Sequence, residues 1–237
     1  MDWRDCGFVL SVRPFGERDA VLSLFTRDRG RHLGLVRGGA GRRLTPLLQP
    51  GNELYATWRA RLADHLGTYS LEPGIAHGAQ ALDSARKLAV LSAVAALLET
   101  CLPEREPHAR LFDGLEVLLG VLALDGPYAA LLVRFEVEML ADLGFGLDLG
   151  QCAVTGQTTG LSHVSPRTGR AVSVEAAAPY GDRLLRLPGF LAGGGAATAQ
   201  DLADGLALTG HFLERHVLAP QGRSLPAARL RLAGLLG

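Results

Sequence analysis

Gly7-Phe8-Val9-Leu10-Ser11-Val12-Arg13-Pro14-Phe15-Gly16-Glu17-Arg18-Asp19 is the stretch that decides the fold of this chain. Its first half, Phe8 to Val12, is dense in strand formers, and Pro14-Phe15-Gly16 is a turn signal. Working outward, Ala20 to Phe25 alternates loosely and runs into Asp28-Arg29-Gly30, a second turn signal. His32 to Val36 makes a third strand that closes in Gly38-Gly39-Ala40-Gly41. Leu54 to Trp58 and Leu66 to Leu71 supply two more. Five short strands in so little chain fit a small closed barrel, because closure leaves no exposed edges. The OB-fold is the five-stranded barrel that usually binds single strands, and strand count alone also admits an SH3-like barrel.

After Pro73-Gly74 the hydrophobic period changes from two to about 3.6, which marks a domain boundary. The expected fold class is α+β: a barrel domain over residues 1–74 and a mainly helical domain over residues 75–237. Ser84 caps a helix that Pro103 stops, with Leu88 to Leu98 apolar nearly all round. Pro107 is placed as the first residue of a second helix, which buries Leu111, Leu115, Leu118, Leu119 and Leu122 and ends at Gly126. Pro127 opens a third, with Tyr128, Leu131, Leu132, Phe135 and Met139 inward, Arg134 and Glu138 paired outward, and Gly144 as the stop. Residues 148–188 lose the helical period and read as a loop-rich insert with one hairpin. Helical pattern returns from Asp201 to Leu218 and from Pro226 to Leu236.

The formal net charge is zero, yet it is unevenly spread. Residues 1–71 hold 11 Arg against 7 Asp and Glu, and the remainder carries the opposite excess. Within residues 27–43 six arginines face only Asp28. A basic half joined to an acidic one suggests a polyanion-binding module on a differently used body, although solvated surface accounts for such a balance equally well. The chain is 48% hydrophobic with no run of eighteen apolar residues, so no membrane span is expected. Its acid-bearing first residues do not resemble a signal peptide, and Cys6, Cys101 and Cys152 give no disulfide framework. The cytoplasm, in association with the nucleoid, is the expected compartment.

Catalytic motifs are missing. No Gly-rich loop with Lys and Ser/Thr precedes the only lysine, Lys87, and neither Gly38-Gly39-Ala40-Gly41 nor Gly144-Phe145-Gly146 completes a dinucleotide fingerprint. His211 and His216 lie five apart, not at the i,i+4 spacing of zinc ligands. Ser162-His163, with Asp148 and Asp182 near in sequence, lacks the elbow that activates a serine. No enzyme activity, cofactor or small-molecule substrate is expected.

The run from Gly7 to Asp19 resembles the opening of the RecO family, a strand followed by an aromatic-Gly-Glu turn and an acid. The likeness continues through Val21 to Thr26, Gly30, Val36-Arg37-Gly38, the Arg42-Arg43 loop and Leu48-Gln49-Pro50. Leu132-Val133-Arg134-Phe135-Glu136, Leu143-Gly144-Phe145, Leu149-Gly150-Gln151-Cys152 and Ser165-Pro166-Arg167-Thr168-Gly169 extend it downstream. The resemblance implies an N-terminal OB-fold, a C-terminal helical domain and annealing of complementary strands. It also implies work with RecR to place RecA on DNA coated by single-strand-binding protein. Some family members hold zinc through four cysteines in the insert. Here Cys152 matches the first, but Thr155 stands at the second, and no cysteine lies near Ser173 or Ala176. One thiolate cannot build a tetrahedral site, so no metal is expected and Leu161, Val164, Val172 and Val174 are read as the insert's small core.

A strand-annealing protein must screen phosphate repulsion while leaving base edges free, which arginines on a barrel accomplish without reading sequence. The candidates for phosphate contact, on single-stranded and also double-stranded DNA, are Arg13, Arg18, Arg29, Arg31, Arg37, Arg42, Arg43, Arg59 and Arg61. Arg37, Arg42 and Arg43 stand out for the glycines around them, whereas Arg13 and Arg18 have Glu17 and Asp19 as alternative partners. Phe15 at a turn tip and Trp58 are stacking candidates, with core packing as the alternative for Trp58. The resemblance supplies a further partner, the acidic, Phe-ended tail of single-strand-binding protein, for which Arg110, Arg134, Arg215, Arg229 and Arg231 are candidate cations. In the competing reading the chain is an adaptor whose barrel binds a protein and never touches DNA.

Overall fold

The computed structural model describes residues 1–236. They divide into two compact units, Met1–Gly126 and the residues from Pro127 onward. The first holds a closed barrel of β1 (Asp2–Phe15), β2 (Asp19–Thr26), β3 (Gly30–Val36), β4 (Glu53–Arg59) and β5 (Thr68–Pro73). The strand order β1-β2-β3-β5-β4 with β1 also paired to β4 is that of an OB-fold. β1 is far longer than the Phe8–Val12 strand read from the sequence, because it serves two neighbours. Its first half pairs with β4 from Asp2↔Arg59 to Phe8↔Glu53, and its second half with β2 from Gly7↔Thr26 to Phe15↔Asp19. A register shift between Val9 and Ser11 bends it from one partner to the other.

Val9, Leu22, Leu24, Val36, Leu54, Ala56, Trp58 and Tyr69 fill the barrel. Fully burying a side chain such as Leu22, Leu24 or Leu54 stabilises by about 1.5–3 kcal/mol. Phe8 and Phe25 point away from that core onto Phe112, with ring centroids 5.1 and 5.7 Å apart. This is why residues 7–10 and 22–26 are buried continuously and alternate so poorly: both faces of those strands are covered. The covering elements are the one-turn α1 (His77–Gln80), α2 (Ala85–Cys101) and α3 (Ala109–Ala123).

Ser84 caps α2, its hydroxyl accepting the Lys87 N–H. The only lysine is a structural one: its ammonium is buried and lies 2.6 Å from Asp125. Pro107 does not begin α3. His108 is the N-cap and Ala109 the first helical residue, so the proline stands just outside the helix.

The second unit contains α4 (Tyr128–Asp142), a three-stranded sheet of β6 (Leu161–Val164), β7 (Ala171–Ser173) and β8 (Leu185–Arg186) in the order β7-β6-β8, and short helices α5 (Val174–Ala177) and α6 (Gly189–Ala192). α7 (Ala199–Phe212) follows, begun by a capping box between Thr198 and Asp201, then a π-helical turn over Leu213–Leu218 and α8 (Ala227–Leu236). The insert therefore holds a third strand besides the expected hairpin. Its core is Cys152, Val172 and Ala177 with Leu161, Ala176 and Leu184 packed on it. Val174, expected inside, is 61% exposed because it begins α5 and no longer follows the alternation of β7. Among the described residues no helix is long and apolar enough to cross a membrane.

Candidate nucleic-acid interface

The β1–β2 hairpin turns at Gly16, whose φ of +64° suits a residue without a Cβ. Phe15 beside it is 55% exposed, and Arg13 and Arg18 on the two arms are exposed too. The segment that leaves β3 folds back against this hairpin. The Gly38 N–H donates to the Asp19 carboxylate at 2.8 Å, and the Ala40 N–H donates to the Arg18 carbonyl at 3.0 Å. Gly39 packs so closely on Ala20 that a Cβ there would sit 2.8 Å from the alanine methyl. These contacts bring Arg37, Arg42 and Arg43 to the end of the barrel that carries Arg13, Phe15 and Arg18. All five arginines are exposed, and none makes an ion pair among the described residues. Asp19, one of the alternative partners for Arg13 and Arg18, is bound to the Gly38 backbone. A hollow of about 360 Å³ lies between hairpin and returning segment, bounded by Val12, Pro14, Gly39, Thr45 and Gln49.

The other four barrel candidates do not join that cluster. Arg29 is exposed on the β2–β3 turn, Arg59 ends β4 and Arg61 follows it in the loop, all three without an ion pair among the described residues. Arg31 is a correction: its side chain is only 12% exposed, donates to the Leu102 carbonyl at 2.9 Å, and faces Glu99 and Glu104 at 3.6 and 3.7 Å. It ties β3 to the end of α2 and is withdrawn as a phosphate contact.

Trp58 is likewise inside the barrel, 2% exposed, its indole N–H donating to the Leu66 carbonyl at 2.9 Å. Stacked on it at 5.9 Å is Trp3, a half-buried ring that the sequence reading passed over. The signal was present: Trp3 falls opposite Trp58 once β1 is extended to Asp2.

The five candidate cations for a protein tail fare differently. Arg110 lies exposed on α3 in the first unit, and the other four belong to the second. Arg134 does not pair with Glu138; it donates to the Phe190 carbonyl and lies 5.8 Å from that ring's centroid. Arg215 donates to the Pro166 carbonyl at 3.0 Å. Arg229 is the clearest correction. It is buried, its guanidinium bidentate on Glu136 at 2.5 and 2.8 Å, with the Leu206 carbonyl and the Thr209 hydroxyl as further partners. Arg231, on the same helix, is exposed and unpaired among the described residues. Arg110 and Arg231 thus remain as free surface cations.

In the insert, the Ser173 N–H donates to the Cys152 sulfur at 3.2 Å. Burial pushes this thiol up, but hydrogen bonding from Ser173 and Thr155 outweighs it and holds the group at about 6. Among the described residues no cluster of three or more His, Cys, Asp or Glu side chains is placed to hold a metal ion. The Ser162 hydroxyl meets the His163 Nδ1 at 2.8 Å, but no described carboxylate orients that imidazole.

Two family profiles match the chain: Recombination protein O N terminal over residues 1–73 and Recombination protein O C terminal over residues 82–226. The DNA repair protein RecO of Rhodospirillum centenum is 50% identical over 233 residues, covering 98% of this chain and 93% of that protein. Its counterpart in Rhodospirillum rubrum is 51% identical over 240 residues, covering 98% and 94%. That of Cereibacter sphaeroides is 50% identical over 239 residues, covering 100% and 99%.

Proposed function

The chain belongs to the RecO family of DNA repair proteins, and from that premise we propose that it is a non-enzymatic mediator that binds and anneals single-stranded DNA. The observation that supports this most is the hairpin end of the barrel, where Arg13, Arg18, Arg37, Arg42 and Arg43 surround the exposed Phe15 without an acidic partner among the described residues. Each guanidinium offers a fork of donors to phosphate oxygens. Contacts confined to phosphates neutralise two strands while leaving their base edges to pair. Phe15 offers one ring to an unstacked base without reading it. DNA binding belongs to residues 1–74 in this reading, with Arg29, Arg59 and Arg61 contributing from the opposite end.

The reading includes RecR as a partner, loading of RecA onto coated DNA, and work in the cytoplasm at the nucleoid. The helical residues 75–237 receive the acidic tail of single-strand-binding protein, with Arg110 or Arg231 as the available cations. Fluorescence anisotropy of a labelled single-stranded oligonucleotide, titrated with the full chain at several salt concentrations, tests the core of it. Five phosphate contacts give a log–log slope of roughly −3.5 at about −0.7 per contact. Absence of binding at low salt, or a flat slope, favours the adaptor reading instead.

A further inference from the structure

A second hollow, of about 500 Å³, opens at the other end of the barrel and is lined by Asp2, Trp3, Asp28, Arg29, Arg105 and Pro107 among others. Its size lies within the usual range of small-molecule sites. The walls are held in place by specific contacts. The Trp58 indole N–H holds the β4–β5 loop at Leu66, and Gly67 lies so close that a Cβ there would come within 2.3 Å of the indole. Arg105, in the left-handed region at φ +64°, donates to the carbonyls of Ala63, Asp64 and His65 on that loop. Gly30 passes so near Glu106 that a Cβ would lie 1.8 Å from its carbonyl oxygen. The N-terminal ammonium donates to Ala60 at 2.8 Å and fixes the start of β1.

Into this frame the sequence sets Trp3, backed by Trp58 in a stack with an interplanar angle of 16° and braced edge-on by His32 at 5.0 Å. Arg29 stands at the rim with no ion pair among the described residues, and Arg105 spends its donors on the loop carbonyls. The carboxylates of Asp2 and Asp28 stand at the same mouth as acceptors. A rigid aromatic ring, one free guanidinium and two carboxylates within one concave site complement a nucleotide: a π-face to stack, a phosphate to bind and base N–H groups to donate.

We propose that this hollow binds one unpaired nucleotide, its base stacked on Trp3 and its phosphate on Arg29. The proposal rests on the single-strand reading above and adds to it a seat where a strand's base is taken out of stacking, at the end of the barrel away from the hairpin arginines. A free nucleotide shares the chemistry, so the test separates the two sources.

Trp3 and Trp58 are the only tryptophans of the chain, so all of its indole emission reports on this site. The full chain is titrated with a labelled single-stranded oligonucleotide, followed by anisotropy, and in parallel unlabelled oligonucleotide and dAMP are added while indole emission is recorded. Quenching by the oligonucleotide in step with anisotropy is the expected result, and quenching at much lower concentrations than dAMP identifies a strand as the source. Arg29→Gln, at an exposed position that leaves the fold intact, weakens dAMP binding roughly tenfold. Trp3→Leu weakens it at least as much and Trp3→Phe restores part of the loss, both followed by isothermal titration calorimetry because these variants lack the Trp3 indole, and an unchanged unfolding midpoint in both separates stacking on a base from packing inside the chain. An oligonucleotide that binds by anisotropy without moving the emission, or dAMP that binds Arg29→Gln and Trp3→Leu as tightly as the parent chain, overturns the pocket and leaves the DNA-binding reading standing. Absence of oligonucleotide binding with dAMP quenching intact overturns that reading and assigns the pocket to free nucleotides. If neither ligand moves the emission, the pocket is overturned.

Discussion

At the hairpin end of the barrel Arg13, Arg18, Arg37, Arg42 and Arg43 reach solvent with no acidic partner among the described residues, whereas in the second unit Arg229 is sealed against Glu136, Arg134 is spent on Phe190 and Arg215 on Pro166. The difference teaches how one residue type divides between two tasks. A guanidinium taken out of water must be returned a full set of acceptors, and Arg229 finds them in two carboxylate oxygens, a carbonyl and a hydroxyl. A guanidinium left in water keeps its charge available to whatever arrives. The charge asymmetry between the halves is therefore deepened by the fold, since several cations of the acidic half are turned inward or bound to backbone.

The comparison breaks most visibly at Arg229. Arg229→Ala strands the Glu136 carboxylate in the interior, and the second unit loses about 3–5 kcal/mol in denaturant unfolding followed by circular dichroism. The double change Arg229→Met with Glu136→Leu regains most of that, since the cost lies in the unpaired charge. At the barrel the outcome reverses. Replacing Arg37, Arg42 and Arg43 together with Ala leaves the unfolding midpoint unmoved and flattens the salt dependence of single-strand binding by roughly 2 in log–log slope. The same substitutions at Arg134 and Arg215 leave that slope unchanged.

A smaller effect sharpens the barrel side. Burial pushes the His32 imidazole down from 6.5 to about 4, and the nearby Arg105 and Arg29 push the same way. Being neutral in the fold and ready to take a proton when unfolded, His32 supports a stability that is full above pH 6.5 and lost as the pH falls from 6.5 towards about 4. The unfolding free energy across that window slopes by less than the about 1.4 kcal/mol per pH unit of one full proton on this group's account, and His32→Phe flattens it. The smallest expected effect is none at all. A chelator leaves the thermal midpoint unchanged, and elemental analysis of protein purified without it finds no stoichiometric zinc; a metal at Cys152 would reverse both.

Much of the fold was legible because local signals and tertiary demands agree. Ser84 caps, Pro103 stops, and Pro127 and Gly144 bracket α4, each for a reason carried by the residue itself. The five strands were visible in the strand formers and turns, and the order of the motifs from Gly7 onward pointed to the family. What remained hidden depends on partners far away in sequence. Nothing around Glu136 announces that Arg229, 93 residues on, will neutralise it, and Arg31 reads like its neighbours until Glu99 and Leu102 come to meet it. The ends of β1 were missed because Asp2 to Cys6 alternate polar residues along an edge that only β4 makes into a strand. The candidate interface was legible as composition and not as geometry, since the backfolding of the segment after β3 rests on hydrogen bonds to Asp19 and Arg18.

β3 and β5 meet at one register pair, Leu35↔Thr68, supported by the Leu35 N–H to the Gly67 carbonyl at 3.0 Å, while β1, β2, β3 and β4 are laced by long antiparallel ladders. Across this line lies Tyr69, whose ring occupies the space above Gly34 where a Cβ would come within 2.5 Å, and whose hydroxyl donates to the His32 carbonyl. Mechanically, the barrel is a rolled sheet fastened along a single seam, with one backbone hydrogen bond and one phenol ring as the fasteners. Such a cylinder gapes along its seam before it unrolls anywhere else, and the missing side chain at Gly34 is what lets the clasp close.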